Sequence, residues 1–277
     1  MTIREALRSA AERLDLHYVS NSRLTAELLL AHTLSVEREY LYSHDDRTLT
    51  EEELQSLDDR LYDRISGVPL QYIVGRQEFY GRNFQVNPSV LIPRPETEYI
   101  IEAVLEGDRP TRPVNILDVG TGSGCLAVTL ALELADSKVF AADISFEALL
   151  VAKENAANLN APVQFVCMDV VDGIATKFDF IVSNPPYVRR GEMTHLQREV
   201  REHEPHVALF SPEDELAIYR KLVRGGEAML QHGGYLIMEV GIRMDEGVLG
   251  LFGAEWETLP IKTDLQKIPR TVIARLR

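Results

Sequence analysis

The sequence has few of the residues that crosslink secreted domains or bind structural metals. Its 277 residues include only two cysteines, Cys125 and Cys167, too few for a disulfide framework and without the spacing of a metal site. No apolar run approaches the roughly 18 residues that a membrane span needs. The opening stretch MTIREALRSAAERLD mixes acids with bases, unlike a signal peptide. We therefore expect a cytoplasmic protein with no metal and no membrane association.

Basic residues are also in deficit. The chain has 29 lysines and arginines against 43 aspartates and glutamates, which gives a net charge of −14. Broad, nonspecific nucleic-acid binding relies on many cationic side chains that neutralise phosphates, so this balance weighs against it. The negative net charge is still compatible with a local basic groove. The hydrophobic content of 45% and charged content of 26% are ordinary for a globular protein.

The first 68 residues predict a small all-α bundle. Thr2 with Glu5, and Thr50 with Glu53, have the spacing of a capping box, in which side chain and backbone at a helix start bond each other. Apolar residues follow at helical spacing after each box. Such a bundle has no evident catalytic residues, and we expect it to bind a partner.

Residues 69–92 change in pattern. They contain short β-rich runs broken by Gly75, Gly81 and the Asn87-Pro88 pair, which predicts a β-hairpin connector.

From residue 93 to residue 277 a third region begins, and beyond residue 113 strands and helices alternate. Alternation of this kind predicts an α/β fold, a doubly wound and mostly parallel sheet with helices on both faces, as in Rossmann-like proteins. The last two strands have no helix between them, which indicates an antiparallel edge pair. The seven predicted strands are VNILDVG, KVFAADI, VQFVCMD, FDFIVSN, GGYLIMEVG, WETLPIK and RTVIARL.

A glycine-rich loop joins the first strand of this region to its helix. Gly120, Gly122 and Gly124 allow a tight turn and a close approach of a ligand to the backbone. Asp143 ends the next strand, where an acid accepts hydrogen bonds from ribose hydroxyls, and Asp169 ends the third. Both NAD and S-adenosylmethionine fit this arrangement. The G-x-G-x-G spacing differs from the dinucleotide G-x-G-x-x-G and resembles the class I methyltransferases.

The fourth strand ends in the stiff tetrapeptide Asn-Pro-Pro-Tyr. Asn184 offers a side-chain carbonyl and Pro185 a backbone carbonyl on a rigid chain. Two fixed acceptors suit the two N–H bonds of a planar –NH2 group, and they favour the positive charge that grows on its nitrogen during methyl transfer. Tyr187 can stack on the flat group. Adenine N6, cytosine N4 and the glutamine side-chain amide all fit.

Several stretches together resemble the release-factor glutamine methyltransferases, also called PrmC or HemK. The IPRPETE segment is the most specific of them, whereas NPPY is shared with amino-methyltransferases of DNA and RNA. The likeness covers nearly the whole chain, through PLQYIVGRQEFYGRNFQVNPSVLIPRPETE (69–98), LDVGTGSG (117–124), SNPPYV (183–188), HEPHVALF (203–210) and KTDLQKIPRTVIARL (262–276).

The resemblance implies transfer of a methyl group from S-adenosylmethionine to N5 of the glutamine in the Gly-Gly-Gln loop of peptide-chain release factors. It implies that the helical domain contacts the release factor and that Pro93 to Glu98 border the site. The catalytic residues would be Asn184, Pro185, Pro186 and Tyr187. The cofactor would be bound by Gly120, Thr121, Gly122, Ser123, Gly124, Asp143, Asp169, Val170 and Asn184.

Three other activities are weighed against this one. A ribosomal-protein glutamine methyltransferase shares the fold and NPPY, an adenine-N6 methyltransferase shares NPPY, and a nicotinamide-dependent oxidoreductase shares a glycine loop. The chain departs from the family pattern in two places. SPEDEL (211–216) replaces a glycine-rich turn, and Lys267 stands where a glycine often occurs.

Overall fold

The computed structural model describes residues 1–108, 110–170, 176–211 and 214–277, with the side chain of Arg190 excepted. The chain divides into two compact units. The first unit contains residues 1–76 and 197–203, and the second contains residues 77–196 and 204–277.

The first unit is helical, as the sequence predicts. Both capping boxes form, because Thr2 accepts from the backbone of Glu5 and Thr50 from that of Glu53. One prediction is wrong: the Tyr-Ile-Val run after residue 71, expected to be β-rich, is helical, since Pro69 starts a short helix that Gly75 ends. The helices are α1 Ile3–Leu16, α2 Ser22–Leu34, α3 Arg38–Ser43, α4 Glu51–Ile65 and α5 Leu70–Val74.

Apolar side chains from these helices form one core. Ile3, Leu14 and Leu30 are fully buried in it, together with Leu41 and Leu61. The later segment 197–203 joins this unit, where Glu199 forms an ion pair of 2.6 Å with Arg64.

A β-hairpin, β1 Arg76–Phe79 and β2 Arg82–Gln85, lies within the predicted connector. The large sheet follows in the second unit. Its strands are β3 Val114–Val119, β4 Ser137–Asp143, β5 Val163–Cys167, β6 Phe178–Ser183, β7 Leu230–Glu239, β8 Trp256–Thr258, β9 Lys262–Thr263 and β10 Pro269–Leu276.

The order of the large sheet is β5-β4-β3-β6-β7-β10-β8, and the two-residue β9 also pairs with β10. The first five strands in this order are parallel, whereas β10 is antiparallel to both of its neighbours, β7 and β8. The predicted doubly wound sheet is thereby confirmed. The last two predicted strands do pair, with β10 inside the sheet and β8 at its edge.

Both faces of this sheet are covered. Along β3, Ile116 belongs to one apolar cluster and Leu117 to the other, and Ile237 and Met238 of β7 divide in the same way. This alternation explains why the central strands are largely apolar, since a parallel sheet covered on both faces has no polar face.

Helices form the two layers that cover the sheet. The helix predicted from Pro212 has residues 212 and 213 outside the described ranges, and the observed helix begins at Ala217. A Cβ on Gly226 would lie 2.9 Å from the Trp256 ring, so the close packing at this point requires a glycine. The remaining helices are α6 Glu98–Glu106, α7 Cys125–Glu133, α8 Phe146–Asn158, α9 Arg198–His203, α10 His206–Leu209, α11 Ala217–Met229 and α12 Asp245–Leu249, with 3-10 turns at Pro95–Thr97 and Arg190–His195.

None of the helices within the described ranges combines the length and the apolar character that crossing a bilayer requires.

Of the two departures from the family pattern, Lys267 adopts a left-handed backbone with φ of 62°. Glycine reaches that conformation without steric cost, which explains why it suits this position.

Candidate active site

The two central motifs begin side by side at the carboxyl edge of the sheet. Val119, the last residue of β3, is paired with Ser183, the last residue of β6, and the Ser183 hydroxyl donates to the Val119 carbonyl at 2.8 Å. The chain order reverses between these two strands. Ligands of open α/β sheets bind at this switch point, so the glycine loop and the NPPY segment face the same crevice.

The glycine loop has the left-handed conformation that its glycines predict, with φ of 74° at Gly120, 54° at Gly122 and 80° at Gly124. A Cβ on Gly120 or Gly122 would meet none of the described atoms within 4 Å, whereas one on Gly124 would lie 3.0 Å from Ala152 Cβ. The first two glycines therefore leave the backbone open to a ligand, and the third permits close packing against α8.

This difference predicts separate effects of two matched substitutions. Gly124→Ala should lower the free energy of unfolding by about 1–2 kcal/mol, because backbone strain and the contact with Ala152 combine. Gly122→Ala should cost less stability and should weaken cofactor binding more, because its methyl group projects into open space. Urea denaturation and calorimetric titration measure the two effects. Equal loss of stability in both variants would contradict this assignment.

Two buried polar residues hold the loop from behind. The Asp118 carboxylate accepts from the Thr121 hydroxyl at 2.6 Å and from the Ala127 backbone at 3.2 Å. Burial raises the pKa of Asp118 to about 7, and these hydrogen bonds oppose that shift. The Asn155 amide donates to the Ser123 carbonyl at 2.8 Å. Both residues stabilise the loop conformation.

Asp143 lies at the end of β4, as predicted, and organises two turns. Its carboxylate oxygens accept from the backbone of Gly122 and of Ser145, each at 2.9 Å. Burial raises the pKa of Asp143, and these N–H donors oppose the shift. Each oxygen keeps further acceptor capacity, so the side chain can also accept from ligand hydroxyls.

Asp169 and Val170 follow β5 at the same edge. Asp169 pairs with Lys221 of α11 at 3.0 Å. Val170 has a φ of 55°, a conformation that is rare for a β-branched residue and that concentrates at functional sites.

The NPPY residues divide between two directions. Asn184, Pro185 and Pro186 line the crevice, and the Asn184 amide nitrogen donates to the Thr97 hydroxyl at 3.0 Å. Tyr187 directs its hydroxyl to Glu239 at 3.2 Å. Burial and the neighbouring Glu239 carboxylate raise the pKa of this phenol well above its usual range. The stacking role predicted for Tyr187 stays a prediction.

The IPRPETE segment is tied to the HEPHVALF segment by one buried acid. Glu204 accepts from the Arg94 guanidinium at 2.5 Å and from the Ile92 backbone at 3.3 Å. The ion pair between Arg94 and Glu204 therefore has a structural role. It joins the two segments and holds Pro93 and Thr97 at the crevice.

A cavity of about 310 Å³ joins these parts. The predicted residues that line it are Gly120, Thr121, Gly122, Ser123, Asp143, Asp169, Val170, Asn184, Pro185 and Pro186. Gly124 lies behind the loop against Ala152.

Sequence reasoning missed three residues of this region. The sequence predicts Thr97 only as part of the Pro93–Glu98 border of the site, and it predicts no role for Asp118 or Glu239. The signal for the two acids was available, because Asp118 directly follows the apolar pair Ile116 and Leu117, and Glu239 directly follows an apolar run that ends at Met238. Such residues are seldom buried without partners.

Comparison with known proteins gives two family-model matches. A model described as the PrmC N-terminal domain matches residues 5–75, and one described as the methyltransferase small domain matches residues 100–203.

Two curated relatives match over nearly their full length. A release factor glutamine methyltransferase of Koribacter versatilis is 45% identical over 99% of both chains. A second, of Nitratidesulfovibrio vulgaris, is 38% identical over 99% of this chain and 95% of its own. A solved methyltransferase structure from Pyrococcus furiosus shares 18% identity at a TM-score of 0.53, covering 79% of this chain and 98% of its own. This last likeness concerns the fold alone.

Proposed function

This chain belongs to the release factor glutamine methyltransferase family, and we propose that it methylates N5 of the glutamine in the Gly-Gly-Gln motif of peptide-chain release factors. It is a methyltransferase whose methyl donor is S-adenosylmethionine.

The polarity of the Asn184 amide is the observation that carries the proposal. Its nitrogen donates to Thr97, which leaves the oxygen to accept from a substrate. Asn184 is followed by Pro185 at the cavity wall, so a second acceptor, the Pro185 carbonyl, is available on a stiff backbone. Two acceptors hold both hydrogens of a planar amide and orient its nitrogen for attack.

The residues at the glycine loop fit S-adenosylmethionine. The open space beside Gly120 and Gly122 lets a ligand approach the backbone. A side chain at either position would block that approach. Asp143 has spare acceptor capacity for the ribose hydroxyls. Asp169 and Val170 would border the adenine. When bound, this cofactor supplies a methyl group on a positively charged sulfur, which is the electrophile.

The chain contributes to the reaction by orientation and charge. An amide nitrogen is a weak nucleophile because its lone pair is delocalised. Asn184 and Pro185 would stabilise the positive charge that develops on it, and this electrostatic help is worth more in a site from which water is excluded. Pro186 would keep the two acceptors in register.

The domain organisation enters the proposal as well. We propose that residues 1–68 bind the release factor and that residues 93–277 carry out the methyltransferase chemistry. Residues 69–92 would connect these two domains. Support comes from the match of the PrmC N-terminal domain to residues 5–75. The exposed Leu16 and Tyr18 of the helical unit offer apolar contact area. We also propose the cytoplasm as its compartment, and a protein rather than a nucleic acid as its substrate, in keeping with the net charge of −14.

Mass spectrometry of a release factor tests this proposal. Incubation with S-adenosylmethionine carrying a labelled methyl group should place a single label on the glutamine of Gly-Gly-Gln. A release factor with glutamate at that position, which lacks the amide nitrogen, is the matched control and should stay unlabelled.

Parallel reactions with ribosomal proteins and with DNA and RNA separate the alternatives. Label found only on a ribosomal-protein glutamine, or only on adenine, would replace the proposed substrate by the corresponding one.

A further inference from the structure

A chain of hydrogen bonds runs from Asn184 into the protein interior. Asn184 Nδ2 donates to Thr97 Oγ1 at 3.0 Å, and Thr97 Oγ1 donates to Glu239 Oε2 at 2.6 Å. The other carboxylate oxygen, Oε1, accepts from the Tyr187 hydroxyl at 3.2 Å. Thr97 and Glu239 are each only 2% exposed, so water does not compete for these bonds.

The chemistry of these groups gives the chain a direction. A carboxylate only accepts, and a threonine hydroxyl has one hydrogen to give. Because Thr97 donates that hydrogen to Glu239, the Thr97 oxygen can only accept a hydrogen bond from Asn184. The Asn184 amide must then present its –NH2 to Thr97 and keep its oxygen for the substrate.

We propose that Glu239 and Thr97 are positioning residues, which fix the orientation of the Asn184 amide and so keep its oxygen towards the substrate nitrogen. The proposal rests on the proposed function for the role of Asn184 as an acceptor. We refer to Asn184, Thr97 and Glu239 as the relay.

Protonation of Glu239 reverses the relay. A protonated carboxyl can donate to Thr97, whose hydrogen then turns to the Asn184 oxygen. The amide flips and presents –NH2 to the substrate –NH2, where donor faces donor. The relay therefore has its working direction above the pKa of Glu239 and loses it below.

The surroundings place that pKa within an accessible range. Burial raises the pKa of Glu239 to about 7, and the hydrogen bonds from Thr97 and Tyr187 lower it. Glu96 adds to the rise, whereas Arg270 of β10 opposes it. Tyr219 of α11 donates to the Glu239 backbone carbonyl and leaves the carboxylate free for the relay.

Nuclear magnetic resonance of the substrate-free protein tests the relay directly. The side-chain amide signal of Asn184 is identified by its loss in Asn184→Ala. It should shift with pH around a midpoint near 7 in the wild type and in Thr97→Ser, which keeps the hydroxyl. It should not titrate in Glu239→Gln.

Kinetics supply the second readout. At saturating substrates, Glu239→Gln and Thr97→Val should each lower kcat roughly tenfold, the scale of one misplaced hydrogen bond, whereas Thr97→Ser should stay within about twofold of the wild type. Affinity for S-adenosylmethionine should not change. Glu239→Gln with Thr97→Val should lose no more than either alone, because the residues act as a unit.

The pH profile separates Glu239 from the other buried acid of the site. Wild-type kcat should fall as pH drops through about 7, and Glu239→Gln should abolish that fall. Asp118 also has a pKa raised to about 7, so Asp118→Asn is the matched control, and it should keep the fall in kcat.

The outcomes distinguish the relay from the proposed function. Wild-type kcat and an unchanged pH profile in both Glu239→Gln and Thr97→Val would overturn the relay and leave the function standing. If the wild type labels no release factor, the proposed substrate is wrong, and the Asn184 amide signal still decides the relay. A signal that titrates equally in wild type and Glu239→Gln would overturn it.

Discussion

Replacing Asn184 with alanine is expected to lower kcat for methyl transfer by about 10²- to 10³-fold, the loss typical of removing one preorganised acceptor or donor from a charge-stabilising site. The alanine cannot accept from the substrate amide, so the nitrogen loses both its orientation and the stabilisation of its developing charge. The affinity for S-adenosylmethionine should change little, because the glycine loop and Asp143 remain. Single-turnover transfer of a labelled methyl group, with calorimetry for the cofactor, measures both quantities.

The matched control is Asn158→Ala, which removes the same group from an exposed position on α8. It should leave kcat unchanged. Turnover near the wild-type rate in Asn184→Ala would show that the amide does not act on the substrate. A loss of cofactor affinity equal to the loss in rate would place Asn184 in the cofactor site alone.

Asp143→Ala is expected to weaken S-adenosylmethionine binding by about 1.5–3 kcal/mol, or roughly 10- to 150-fold in Kd, as for hydrogen bonds to a charged group. Part of the loss comes from the ligand hydroxyls. The rest follows because Gly122 and Ser145 lose the carboxylate that both backbone N–H groups bond. At saturating cofactor, kcat should be largely restored, since the amide acceptors are untouched.

Asp143→Asn separates these contributions. Asparagine keeps one acceptor oxygen and loses the charge, so its Kd should fall between those of the wild type and Asp143→Ala. Calorimetric titration gives the three values, and circular dichroism checks that the fold is retained. Wild-type affinity in Asp143→Ala would remove this residue from the cofactor site.

Much of this architecture could be read from local sequence. Capping boxes at Thr2 and Thr50 and the cap at Ser145 involve neighbours within three residues, so their chemistry is visible in the printed chain. The sheet could be predicted because its central strands are mostly apolar runs bounded by turns. The prediction for the Tyr-Ile-Val run was wrong because β-branched and aromatic residues favour strands only on average. Here the preceding proline and the following glycine determine the conformation.

The parts that escaped prediction depend on residues far apart in the sequence. Thr97 and Glu239 are separated by 142 positions and meet only when the sheet forms. Arg94 and Glu204 are separated by 110. The order of β10 and β8 likewise depends on tertiary packing. In contrast, Asn184 and Gly120 could be placed together, because parallel strands bring their carboxyl ends to one edge.

A crystal structure with S-adenosylhomocysteine and a glutamine-containing release-factor peptide tests the central claim most directly. We predict that the glutamine amide nitrogen lies about 2.7–3.2 Å from both Asn184 Oδ1 and the Pro185 carbonyl oxygen, with its remaining face towards the cofactor sulfur. A glutamine that turns its nitrogen to solvent, or an Asn184 that presents Nδ2 to it, would contradict the account.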